Sequence, residues 1–241
     1  MDKEQHTVTD TTGPMAPDTL ALPQFAGRPN LRQEIALALR GALITGEMRP
    51  GVLYSAPGLA EKFGVSATPV REAMLDLANE GLVTIVRNKG FRVKELTDRD
   101  LDEITSLRAL IEVPTVAEVA RGINEPTRAA VEELRPLAKE VERLAEIGDL
   151  IRYVEVDRRF HLSLLALAGN RHLVEVVANL RARSRLYGLQ DLAARGELGR
   201  SAAEHKQIVD LVVAGDAAAA ADLMRRHIGH VRGTWAGYHE T

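Results

Sequence analysis

The stretch LAEKFGVSATPVREAMLDLANEGLV, residues 59–83, decides how the front of the chain folds. A short amphipathic segment breaks at Gly64 and Val65, Ser66 opens a longer one, and Gly81 stops it. Glycine favours the residue just past a helix, and serine the residue just before one. Pro69 falls in the first turn of the second segment, where its missing N–H has no intrahelical partner to lose. Two helices joined by a tight glycine-containing turn form a helix-turn-helix, whose second helix enters the DNA major groove. At helical spacing Ala73, Met74 and Leu77 face the core, while Ala67, Thr68 and Arg71 stand near the exposed N-terminal end. Arginine can bond guanine O6 and N7 together, and threonine beside a helix N-terminus suits phosphates.

The flanks extend this unit. Leu31, Ile35, Leu39 and Leu43 recur at helical spacing, Gly46 ends that run, and Arg49-Pro50-Gly51 is a turn. Beyond Gly81 the period switches to two. The runs LVTIV (82–86) and GFRVK (90–94) flank Arg87-Asn88-Lys89-Gly90, a turn composition. Three helices and a hairpin outline a winged helix-turn-helix over residues 30–95. The wing tip Arg87–Gly90 is basic and compact enough to reach a minor groove or the backbone.

Charge follows the same division. Residues 31–94 hold nine Lys/Arg and six Asp/Glu, a net +3, whereas residues 95–241 hold twenty and twenty-four, a net −4. The basic part suits a polyanion. The chain has no cysteine, which excludes disulfides, thiolate metal sites and a cysteine nucleophile. No apolar run approaches the ~20 residues needed to cross a bilayer, and the first residues lack a secretory pattern. A cytoplasmic location is therefore expected. Residues 1–29, rich in Thr, Pro, Asp and Gly without period, read as a flexible tail.

From Thr97 onward only helix signals appear. Thr97 with Asp100 has the spacing of a capping box. The pattern predicts six helices, near 98–122, 126–147, 149–168, 171–189, 191–214 and 216–237. Residues 96–241 thus form an all-helical antiparallel bundle, and the fold class is mainly α.

The pattern GxLxxxxxLAEKFGVSxTPVREAMxxLxxEGLV…NKGFRV resembles the N-terminal domain of the GntR superfamily of bacterial transcription regulators. The helical remainder resembles the FCD ligand-sensing domain of its FadR subfamily. The resemblance implies a homodimer on a short palindromic double-stranded operator, commonly a repressor released by a small metabolite. It implies Thr68, Arg71, Arg87 and the Asn88–Lys89–Gly90 tip as operator contacts. Two positions depart from the family: Ala67 stands where an arginine often precedes the Thr, and Pro57-Gly58 where a charged residue often opens the second helix.

The segment VEVDRRFHLSLLALAGN, 154–170, carries an apolar stripe interrupted by Asp157 and His161, one turn apart. His205 shares a face with Ile208, Val209 and Val212, and His227 with Ala220, Leu223, Met224 and Val231. His205 lies ten residues before Gly215 and His227 twelve after it. At helical rise those are roughly 15 and 18 Å from the turn, so the two rings meet at one height in an antiparallel pair. Four inward polar groups are costly alone; a divalent ion satisfies them together. One carboxylate and three imidazoles suit Zn²⁺, Ni²⁺, Co²⁺, Mn²⁺ or Fe²⁺ without choosing among them. The D-x3-H…H…H pattern also resembles the metal-binding form of the FCD domain. His230, one turn from His227, could substitute but points less centrally, and His172, at a helix start after Gly169-Asn170, reads as a surface or capping residue.

An ion with open positions can hold a carboxylate effector, with a cation completing the grip. Arg108 is the first candidate, and the resemblance implies a cavity-facing role; the competing assignment is a salt bridge to Glu112. Arg181 and Arg185 are weaker candidates. The expectation is a DNA-binding regulator and not an enzyme, with operator affinity controlled by a small organic acid at the metal. The alternatives are a metal-dependent hydrolase using the Asp/His₃ site, and a regulator whose ion is purely structural.

Overall fold

The computed structural model of the chain describes residues 30–184, 189, 193 and 196–233. The expected tail and Arg185 lie outside the described residues. Helix α1 (Asn30–Ile44) buries Ile35, Leu39 and Leu43. A two-residue strand β1 (Leu53–Tyr54) precedes α2 (Ala56–Phe63). The Ser55 hydroxyl accepts the Gly58 N–H at 3.1 Å to open α2, and Gly64 ends it in the left-handed region at φ 66°. Helix α3 (Ala67–Asn79) follows Ser66, whose side chain makes no capping hydrogen bond. The wing is β2 (Val83–Val86) and β3 (Gly90–Val93), antiparallel with Val83 opposite Val93 and Ile85 opposite Phe91.

The sheet has three strands in the order β1-β3-β2, one more than the hairpin expected. Leu53 pairs with Arg92 and Tyr54 with Phe91. A strand of two residues is too short to display a period of two. Gly90 makes the pairing possible: it sits at φ 133°, and a Cβ there would lie 2.3 Å from the Tyr54 carbonyl oxygen. Val70, Ala73, Met74 and Leu77 of α3 pack with Leu39, Leu43, Leu82, Phe91 and Val93 in one apolar core.

The second domain begins with α4 (Asp98–Arg121). Its capping box is formed: Thr97 N–H donates to Asp100 Oδ2 at 2.8 Å, and Asp100 N–H to Thr97 Oγ1 at 3.2 Å. Then come α5 (Glu125–Glu132) and α6 (Arg135–Ile147), where one helix over 126–147 was expected. Pro136 explains the break, because its ring lacks an N–H and clashes with the carbonyl four residues back. Helices α7 (Leu150–Ala166), α8 (Arg171–Ser184), α9 (Glu197–Ala214) and α10 (Ala217–Gly233) complete the described bundle. Gly215 turns α9 into α10 at φ 75°. Apolar side chains of α4, α7, α9 and α10 form the main core, including Val116, Leu164, Val209 and Met224.

The two domains are packed together. Ile44 at the end of α1 is buried with Val141, Leu144 and Tyr153 of the helical domain. A Cβ on Gly41 would come 2.8 Å from Ile151 Cδ1, so α1 lies close against α7. Ala182 of α8 packs on the apolar core of the first domain. The Arg183 stem reaches Gly81, where an added Cβ would meet its Cδ at 3.2 Å. Among the described residues no helix is long and apolar enough to cross a membrane.

Candidate metal centre and DNA-reading face

Asp157, His161, His205 and His227 come together in the core, each no more than 1% exposed. One ligand atom from each lies within 4.8 Å of all the others. Helix α7 supplies the first two because residues four apart share a face. The α9–α10 hairpin supplies the other two at matching height. His161 Nε2 lies 3.1 Å from both His205 Nε2 and His227 Nε2. Asp157 Oδ1 lies 3.2 Å from His205 Nε2 and 3.8 Å from His161 Nε2. Donors held at normal metal distances stand roughly 3.0–3.5 Å apart around an ion.

The outer nitrogens settle what these inner atoms carry. His205 Nδ1 faces the Ala202 carbonyl oxygen at 3.0 Å, and His227 Nδ1 faces Glu204 Oε2 at 2.8 Å. Both partners accept, so each Nδ1 carries a hydrogen, and a neutral ring so held turns the Nε2 lone pair inward. Asp157 Oδ1 adds a third acceptor to the same point. A proton on His161 Nε2 can serve one of these at a time, whereas a cation at the centre serves all. Burial, and then the nearby Arg181 guanidinium, holds His161 well below the ordinary histidine range. Neutral imidazole is the form that ligates. The donor set therefore fits a divalent ion.

A buried chain of charges supports the carboxylate ligand. Arg181 donates from one terminal nitrogen to Asp157 Oδ2 at 2.7 Å and from the other to Glu112 Oε2 at 2.9 Å. Arg108 Nε donates to Glu112 Oε1 at 2.7 Å, and its terminal nitrogen lies 3.4 Å from Ser184 Oγ. Arg181 thereby fixes one oxygen of Asp157 and leaves the other facing the histidines. Burial pushes the Glu112 carboxyl up, but its two guanidinium partners outweigh that and hold it below the usual range. Arg108 thus makes the i, i+4 bridge weighed against an effector role. Among the clustered arginines whose position is described, Arg181 is the one turned to the metal ligands.

Glu204 was not singled out from the sequence. Its signal was available, because it lies eleven residues before Gly215 and so faces His227 across the hairpin. His172 is exposed beside Glu175, with 3.4 Å between Nδ1 and Oε2. The side chain of His230 lies outside the described residues.

On the first domain Thr68 and Arg71 are exposed on the first turns of α3. Arg87, Asn88 and Lys89 are exposed at the wing tip, and Asn88 adopts the left-handed region at φ 59°. Small polar residues tolerate that conformation best. Gly90 follows and begins β3. Helix α3 and the wing project these side chains outward from an apolar core.

Comparison with known proteins identifies both halves. Residues 31–93 match the model described as bacterial regulatory proteins, gntR family, and residues 103–230 match the FCD domain. The HTH-type transcriptional regulator in an unstable DNA locus of Streptomyces ambofaciens is 32% identical over 212 residues, covering 85% of this chain and 84% of that protein. The HTH-type transcriptional repressor GlaR of Escherichia coli is 28% identical over 200 residues, covering 79% of this chain and 89% of GlaR. The solved structure of E. coli McbR/YncC superposes with a TM-score of 0.66 at 26% identity, covering 82% of this chain and 93% of that one. With a GntR reader domain followed by an FCD domain, the chain belongs to the GntR family of DNA-binding transcription regulators, in its FCD-containing branch.

Proposed function

We propose that this regulator binds a palindromic operator as a homodimer and represses transcription until a small organic acid reaches a divalent ion held by Asp157, His161, His205 and His227. The convergence of three imidazole nitrogens and one carboxylate oxygen at a buried point carries the reading. The Arg181 guanidinium beside Asp157, together with a divalent ion, gives a cationic surround that suits an anionic effector. The contacts of α7 with α1 and of α8 with Gly81 give ligation a short path to the reader domain. The coupling required is only ~1–3 kcal/mol. In the reader, Arg71 with Thr68 would address the major groove, and Arg87, Asn88, Lys89 and Gly90 the adjacent backbone or minor groove.

Selection of genomic fragments on the purified protein yields an operator for the test. Binding is then measured with metal, with a chelator, and with a panel of hydroxy acids, sugar acids and dicarboxylates. One acid should weaken operator binding in the metal-loaded protein and leave the chelated protein unaffected. Arg71→Ala should cost about 1–3 kcal/mol and relax one operator position, and Lys89→Ala should lower the salt slope by about one. Indifference to every acid, with binding lost only on unfolding, overturns effector control. A specific observation favours that second reading: Arg108 and Arg181 both already hold protein carboxylates, as they would around a purely structural ion.

A further inference from the structure

The three histidines of the cluster are supported unequally. His161 Nδ1 has no hydrogen-bond partner among the described residues. His205 Nδ1 donates to a neutral backbone carbonyl, that of Ala202. Among the described residues, only His227 Nδ1 meets a carboxylate, Glu204 Oε2 at 2.8 Å, and Glu204 is itself buried at 8% exposure. A carboxylate on the outer nitrogen does three things to a ligating imidazole. It fixes the hydrogen on Nδ1, it stops the ring from turning, and it makes Nε2 a stronger donor.

We propose that Glu204 is a positioning residue of the metal centre, acting on the ion through His227. This rests on the metal reading above. Helix α9 then contributes twice at adjacent positions: His205 as a ligand, and Glu204 as the support for the ligand of the next helix. The carboxylate also ties α10 to α9 at the level of the ion, far from their connection at Gly215. His227 becomes the anchoring imidazole of the set. A merely structural pairing of Glu204 with a protonated His227 would make the opposite prediction, because an imidazolium has no lone pair to ligate with.

The test uses the full chain stripped with chelator, together with Glu204→Ala, Glu204→Gln and His161→Ala. Zn²⁺ affinity is read by competition with a chromophoric chelator, and ligand geometry by the visible bands of the Co²⁺ form. Melting of the metal-free proteins checks folding. Glu204→Ala should lose roughly 10–100-fold in Zn²⁺ affinity and shift the Co²⁺ bands. Glu204→Gln keeps an oxygen acceptor for His227 and should recover part of the loss, which carries the test if the alanine variant melts early. Zn²⁺ affinity within about twofold of the parent in both variants, with unchanged Co²⁺ bands, overturns the role of Glu204 alone. A parent that takes up no more ion than His161→Ala overturns the metal reading and this inference together.

Discussion

The two domains bury different kinds of core. The reader packs Leu39, Met74, Leu77, Val83 and Phe91 with no buried charge, and all eleven buried polar or charged side chains among the described residues lie in the helical domain. The reader needs its polar groups outside, on α3 and the wing, so its core can be purely apolar. The helical domain holds Arg108, Glu112, Asp157, Arg181 and three histidines in its interior, and each is costly there unless it is satisfied. A truncation in an apolar core costs packing at that spot. A truncation in a buried polar network also takes a partner from the charges that remain.

The sharpest way to break this contrast is Arg181→Met. It takes one of two guanidinium partners from Glu112 and the Arg181 bond from Asp157, and should cost about 3–5 kcal/mol in urea unfolding of the metal-free protein. A loss below 1 kcal/mol would show that the network is not a cooperative unit. The reader counterpart, Leu77→Ala, should cost about 2–5 kcal/mol by leaving a cavity. It should leave Zn²⁺ affinity unchanged, whereas Arg181→Met should weaken it. Equal effects on metal affinity would erase the distinction.

Metal removal acts on one side only. Ion at a hundredfold excess over its Kd should stabilise the helical domain by about 2.7 kcal/mol. A chelator should lower its melting transition and spare the DNA affinity of the reader surface itself. The smallest effect is that of pH on the metal-free protein. His161 in the fold binds a proton well below the ordinary histidine value of 6.5, so below that value the unfolded chain binds more protons. Its stabilising contribution is full above about pH 6.5 and falls as pH drops, at a slope of at most about 1.4 kcal/mol per unit for one group. Residues 31–94 contain no histidine, so the reader core should not share this dependence. A His161→Gln variant that keeps the full slope would assign it elsewhere.

Periodicity exposes whatever repeats along one element. The α2–α3 pair, the wing, the Thr97 capping box and the inward faces of His161, His205 and His227 were all legible for that reason. Strand β1 was not, because two residues show no period. The break between α5 and α6 was written in Pro136 but hidden by a continuous apolar face. Arg108 could not be assigned from its own helix, since an effector and Glu112 compete for the same side chain. The choice among the arginines of NLRARSRLYG was closed to any local argument.

What the chain determined by itself was most of its elements and the common height of His205 and His227, because helical rise and the Gly215 turn are local quantities. Only the tertiary structure decided which charges answer one another. Arg181 reaches Asp157 and Glu112 from another helix, and Glu204 reaches His227 across the hairpin. These pairings depend on the rotation and spacing of packed helices, which the interdigitation of whole faces sets and no single segment encodes.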